Sequence, residues 1–85
     1  MHAQKSYSVK CSSGGGSANF RYKEGNVNTR IYFHNNCTHP VNVSVHTVDL
    51  ENTHKYCIAT GAGQKGSKEI QQGASGSITK LTRGC

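Results

Sequence analysis

Four cysteines in an 85-residue chain, Cys11, Cys37, Cys57 and Cys85, constrain the fold more than any other feature. An even number in so short a chain points to two disulfides, and hence to an oxidising, extracellular compartment. The spacing contains no Cys-x-x-Cys pair, which argues against a zinc ribbon or finger. Four cysteines can pair in three ways, and the spacing does not choose among them. The staples matter because the core is thin. Only 33% of the residues are hydrophobic and Trp is absent, so folding without cross-links is close to break-even. Loops of this length make each disulfide worth about 3–4 kcal/mol, mostly by restricting the unfolded chain.

Residues 1–85 are read as one domain. Ten basic residues against four acidic ones give a net charge of +6. That balance favours acidic partners: an acidic protein surface, a cell wall, an anionic membrane surface or nucleic acid. No apolar run is long enough to span a membrane. The opening Met1-His2-Ala3-Gln4 reads as the start of a mature secreted chain behind an added initiator Met.

No window carries the i, i+3, i+4, i+7 apolar pattern of a helix. Alternation dominates instead, and it predicts a six-stranded antiparallel β-sandwich of two sheets. The expected strands are Ser6–Cys11, Ser17–Lys23, Thr29–His34, Val41–Val48, His54–Thr60 and Ile78–Thr82, with Lys68–Ile70 a further short edge candidate. Ile78 and Leu81 are out of phase by one residue, which points to a bulge. The expected core is Val9, Phe20, Tyr22, Ile31, Phe33, Val41, Val43, Val45, Ile58, Ile78 and Leu81, with the cystines. Gly14-Gly15-Gly16 and Gly61-Ala62-Gly63 are loops, since neither precedes a helix and no phosphate-loop motif is present.

Catalytic signals are weak. There is no Gly-x-Ser-x-Gly elbow. A ribonuclease needs an acid and a base within reach of one phosphate. His34 and His46, both on outward faces of expected strands, are the pair to consider. His34, His39, His46 and His54 lack the spacing of local metal-ligand pairs and read as surface histidines. The chain is therefore expected to bind rather than to turn over a substrate, with no cofactor. Two N-glycosylation sequons, at Asn36 and Asn42, fit a secreted eukaryotic protein. The richest surface feature is a hairpin of Ser17–Lys23 with Thr29–His34. Its outer face is expected to gather Asn19, Arg21, Lys23, Arg30, Tyr32 and His34, and Arg and Tyr are the residue types enriched at binding hot spots.

Two family resemblances accompany these residues. Asn36-Cys37, the alternating Val41, Val43 and Val45, then Cys57, Ala59, Gly63-Gln64 and the terminal Cys85 resemble the tendamistat-type α-amylase inhibitors. That resemblance implies a small secreted β-sandwich with the first cysteine paired to the second and the third to the fourth. It also implies an inhibitory Trp-Arg-Tyr turn, where this chain has Phe20-Arg21-Tyr22. The cysteine layout and the size also resemble the small secreted fungal effectors of the MAX group, with ToxB-like members. That resemblance implies first-to-third and second-to-fourth pairing. The first pattern, Cys11–Cys37 with Cys57–Cys85, is preferred, because each bond then joins cysteines adjacent in sequence.

The reading of function is a secreted, basic, non-catalytic binding protein of the effector or toxin kind. Its target is a host or competitor component, and an α-amylase inhibitor is the alternative. The candidate binding residues are Phe20, Arg21, Tyr22, Lys23, Arg30 and Tyr32. The two readings place Phe20 and Tyr22 differently: alternation turns them inward, whereas an inhibitory turn would expose them.

Overall fold

The computed structural model describes residues 4–85, so the reading of Met1, His2 and Ala3 falls outside the described residues. Seven strands follow one another: β1 (Lys5–Lys10), β2 (Ser17–Tyr22), β3 (Asn28–Asn35), β4 (Val41–Asp49), β5 (Asn52–Thr60), β6 (Lys65–Gln71) and β7 (Gly76–Arg83). They form a four-stranded sheet in the order β1-β2-β3-β6 and a three-stranded sheet in the order β5-β4-β7. Every pairing is antiparallel. No helix occurs among the described residues, and none is long and apolar enough to cross a membrane.

Seven strands replace the expected six because β6 is a full strand of seven residues. Its alternation is hidden in the sequence. Ile70 is the one large apolar residue on its inner side, while the other inner positions hold Gly66 and Lys68. Each has a physical reason. Gly66 lies opposite Phe33, and a Cβ there would sit 3.3 Å from the Phe33 ring. The Lys68 amine reaches across to donate to the Cys57 carbonyl at 3.1 Å. An inward-pointing lysine on an edge strand also discourages pairing with a further chain.

The inner faces of the two sheets share one core. Val9, Ala18, Phe20, Tyr22, Ile31, Phe33 and Ile70 from the first sheet pack with Val43, Val45, Ile58, Ile78 and Leu81 from the second. All the expected apolar side chains are buried, and Ala18 and Ile70 join them. Period-two alternation puts them there, since each strand sends every second side chain inward. Of the cystines only Cys37 is buried; Cys11 is half-buried, and Cys57 and Cys85 are exposed, because Cys57 takes the outward phase beside the inward Ile58. The phase break in β7 is a bulge: Leu81 faces Val45 and Ile78 faces Thr47, with Thr79 displaced between them. That extra residue lets both apolar side chains point inward.

Two disulfides close the structure, Cys11–Cys37 and Cys57–Cys85. The first ties the end of β1 to the β3–β4 connection. The second pins the chain end onto β5, with Ser44 of β4 donating to the Gly84 carbonyl beneath it. Gly14, Gly15 and Gly16 all adopt positive φ in the β1–β2 loop, a conformation that glycine takes without a Cβ penalty.

Asn35 is a second kind of staple. Its side chain is fully buried at the end of β3. The amide Nδ2 donates to the His39 carbonyl at 3.1 Å, to Thr60 Oγ1 at 3.1 Å and to the Gly61 carbonyl at 2.9 Å. Its Oδ1 accepts from the Cys37 amide at 2.8 Å. Thr60 Oγ1 continues the network to the Val41 carbonyl at 2.6 Å. One side chain thus joins the end of β3 in one sheet to the end of β5 and, through Thr60, to the start of β4 in the other. Asn35→Ala leaves several of these partners buried without a bond, so we expect a loss of about 3 kcal/mol, since each such orphan costs about 1–3 kcal/mol. Guanidinium denaturation measures it, and a loss below about 1 kcal/mol would contradict the role assigned to Asn35.

Candidate functional site

The outer face of the four-stranded sheet is the most site-like surface among the described residues. Registers on β1, β2, β3 and β6 align two cross-strand rows. Ser6, Arg21, Tyr32 and Ser67 form one, and Ser8, Asn19, His34 and Lys65 form the next. Sheet twist makes this face a half-open groove of about 660 Å³ lined by both rows. That volume lies within the range of small-ligand sites. No carboxylate is among its lining residues.

Alternation explains why these side chains are here. Each precedes or follows a core residue on its strand: Arg21 sits between the buried Phe20 and Tyr22, and Tyr32 between the buried Ile31 and Phe33. Arg21 and Tyr32 are direct cross-strand partners, and the guanidinium carbon lies 6.0 Å from the ring centroid. This is the outer limit of a cation–π contact. Tyr32 remains 49% exposed. Asn19 Oδ1 accepts from Ser8 Oγ at 2.8 Å and from Ser17 Oγ at 3.1 Å, which commits the oxygen and leaves the amide donors for solvent or a ligand.

The other candidate residues fall elsewhere. Arg30 is on the same face, one row away, but its Nη2 lies 3.8 Å from Glu69 and its Nη1 donates to Ser67 at 3.1 Å. A half-exposed pair of this kind contributes at most about 1 kcal/mol, yet it compensates the Arg30 charge locally. Lys23 lies just beyond the end of β2 and is exposed. Phe20 and Tyr22 are 1% and 6% exposed. As residues of an exposed binding turn they are corrected: alternation within β2 sends both rings into the core, and only Arg21 between them reaches solvent. His34 and His46 do not approach each other either. His34 lies on the outer face of the four-stranded sheet and His46 on that of the three-stranded sheet, where it contacts Thr82 Oγ1 at 2.8 Å. They cannot serve one phosphate between them.

Lys65, Ser67, Ser6 and Ser8 complete the groove and were missing from the expected site. Lys65 and Ser67 were hidden with β6 itself. The serines carried a signal, since Ser6 and Ser8 alternate with the inward Tyr7 and Val9. His39 lies with Cys11 and Cys37, their potential ligand atoms within 4.8 Å of one another. Both sulfurs are consumed in the disulfide, while His39 Nε2 accepts from the Ser12 amide at 3.0 Å and Nδ1 faces the Pro40 carbonyl at 3.0 Å. These contacts give the imidazole a structural position.

Comparison with protein-family models, with curated proteins and with solved structures finds no match to this chain. The functional argument therefore rests on the site and not on fold-level analogy.

The placement of Tyr22 has a measurable consequence. Burial, and secondarily the Glu24 carboxylate, push its phenol above the ordinary tyrosine range. A raised folded-state pKa contributes stability that is complete below the unfolded value of about 10 and is lost as pH rises through the folded value. Thermal denaturation from about pH 8 to about pH 11 should therefore show a steeper alkaline loss in the wild type than in Tyr22→Phe. Parallel slopes would place the phenol in solvent.

Proposed function

We propose that this protein is a small secreted, disulfide-stapled, non-catalytic binding protein of the effector or toxin kind. It acts by occupying an acidic component of a host or competitor with the outer face of its four-stranded sheet. The observation that supports this most is the pair of cross-strand rows. They set the cross-strand pair Arg21–Tyr32 beside His34 and Lys65 in a groove that no carboxylate lines. The charge of +6 on so small a body supports it independently, because a field of one sign draws oppositely charged partners in. Two disulfides fit an oxidising, extracellular location.

The α-amylase inhibitor is the second reading. The pairing Cys11–Cys37 with Cys57–Cys85 is the one that resemblance implies, and it differs from the pairing implied by the effector resemblance. Against it stands the burial of Phe20 and Tyr22, which leaves Arg21 alone of the three to reach an enzyme.

Two assays separate the readings. In the first, fluorescently labelled protein is titrated onto intact candidate target cells. The Arg21→Glu/Lys65→Glu variant should bind at least about tenfold more weakly, since close charge pairs are worth about 1.5 kcal/mol or more. Raising salt should weaken the wild type as the Debye length falls below about 8 Å. Equal binding by both proteins would reduce the positive charge to a solubility device. In the second, α-amylase is assayed with wild type and Arg21→Ala. Tight inhibition lost in the variant would establish the inhibitor; no inhibition leaves the effector or toxin reading.

A further inference from the structure

Taking the outer face of the four-stranded sheet as the binding surface, we propose that its ligand is a linear acidic polysaccharide. Its carboxylates are spaced along the chain, as in a uronate-containing glycan. Three properties of the groove lead there.

The first is the spacing of its cations. Arg21 and Lys65 stand in adjacent rows and two strands apart, about 10 Å across the sheet and about 7 Å along it. Arg30 is held by Glu69. Lys10, two residues beyond Ser8 on the same outward side of β1, is exposed. Neutral Ser6, Ser8, Asn19 and Ser67 lie between these cations. Arg21, Lys65 and Lys10 thus match anions set at intervals among neutral polar units.

The second is the hydrogen-bonding character between the cations. Carboxylates only accept, so a purely carboxylate-bearing partner calls for donors alone. Ser6, Ser67 and His34 can both donate and accept, while Asn19 offers its amide donors and Ser8, whose hydroxyl donates to Asn19, offers an acceptor. That dual capacity suits sugar hydroxyls, which themselves do both.

The third is Tyr32. Arg21 lies against its ring from the β2 side, and its partner on β6 is Ser67, a small residue. One ring face thus stays accessible. A single exposed ring suits the apolar C–H face of a pyranose.

The test is titration of the isotopically labelled whole protein, followed by amide chemical shifts. The probes are hyaluronan oligosaccharides of about four and about six sugars, in which uronates alternate with neutral sugars and which are long enough to cross the four-strand width of about 14 Å. Hexaglutamate, a thymidine hexanucleotide and neutral maltohexaose are the comparison probes. At least one uronate oligosaccharide should shift both rows and leave the three-stranded sheet unmoved. Arg21→Gln, which removes a charged donor, and Tyr32→Ala, which removes the ring, should each weaken that binding about tenfold. Lys80→Gln, which removes the same charge from the exposed face of the other sheet, should leave it unchanged. If hexaglutamate or the oligonucleotide shifts these rows and no uronate does, the polysaccharide inference is overturned while the binding face stands. Equal shifts with maltohexaose would overturn the requirement for charge. If no probe moves the two rows, both the polysaccharide and the acidic-partner reading of this face are overturned.

Discussion

Strict alternation on two facing sheets is the constraint on which the rest of this molecule depends. A chain that is only 33% hydrophobic has too few apolar side chains for a thick core. It can still make a thin one if nearly every apolar residue lies on an inner face. Phe20, Ile31, Val43, Val45 and Ile58 meet that requirement, each at most 1% exposed. The thin layer is closed at both ends by buried polar groups. At one end Asn35 gathers carbonyls from the β3–β4 and β5–β6 connections. At the other, Thr29 donates to Gln72, whose amide reaches the Gly25 carbonyl. Satisfied networks of this kind specify one arrangement of the sheets, because an alternative packing would orphan their members. The disulfides act on the other side of the balance and restrict the unfolded chain.

Alternation also explains how a binding face arises without disturbing the core. On β2 and β3 every inward residue carries packing and every outward residue is free of it. Arg21 and Tyr32 are neighbours because Phe20 and Phe33, one position away, are cross-strand neighbours too. The register that aligns the core aligns the surface. A one-residue slip would exchange the two faces, so the groove is as well specified as the hydrophobic layer.

Much of this was legible in the sequence. Wherever Val, Ile, Phe or Tyr recur at every second position, as in Val41–Val45 or Phe20–Tyr22, the strand and its inward set follow directly. The β7 bulge was legible as well, from the phase break between Ile78 and Leu81. What could not be read is instructive. In β6 a glycine and a lysine take inner positions, because the Phe33 ring fills the space at one and a sheet-to-sheet hydrogen bond occupies the other. Neither partner is near in sequence. The groove's β6 wall, Lys65 and Ser67, was hidden for the same reason. Arg30 looked equivalent to Arg21, and only the pairing of β3 with β6 shows that Glu69 stands opposite it. The resemblance to an inhibitory turn at Phe20-Arg21-Tyr22 gave way to the alternation of those same residues.

The central claim is that the outer face of the four-stranded sheet carries recognition and not stability. The most direct measurement is guanidinium denaturation of the fourfold variant Arg21→Ala/Tyr32→Ala/His34→Ala/Lys65→Ala beside the wild type. These side chains point away from the core, so the account predicts a stability within about 1 kcal/mol of wild type and an unchanged denaturant slope. A loss of several kcal/mol, on the scale of a core truncation, would contradict it and make the face part of what holds the sandwich together.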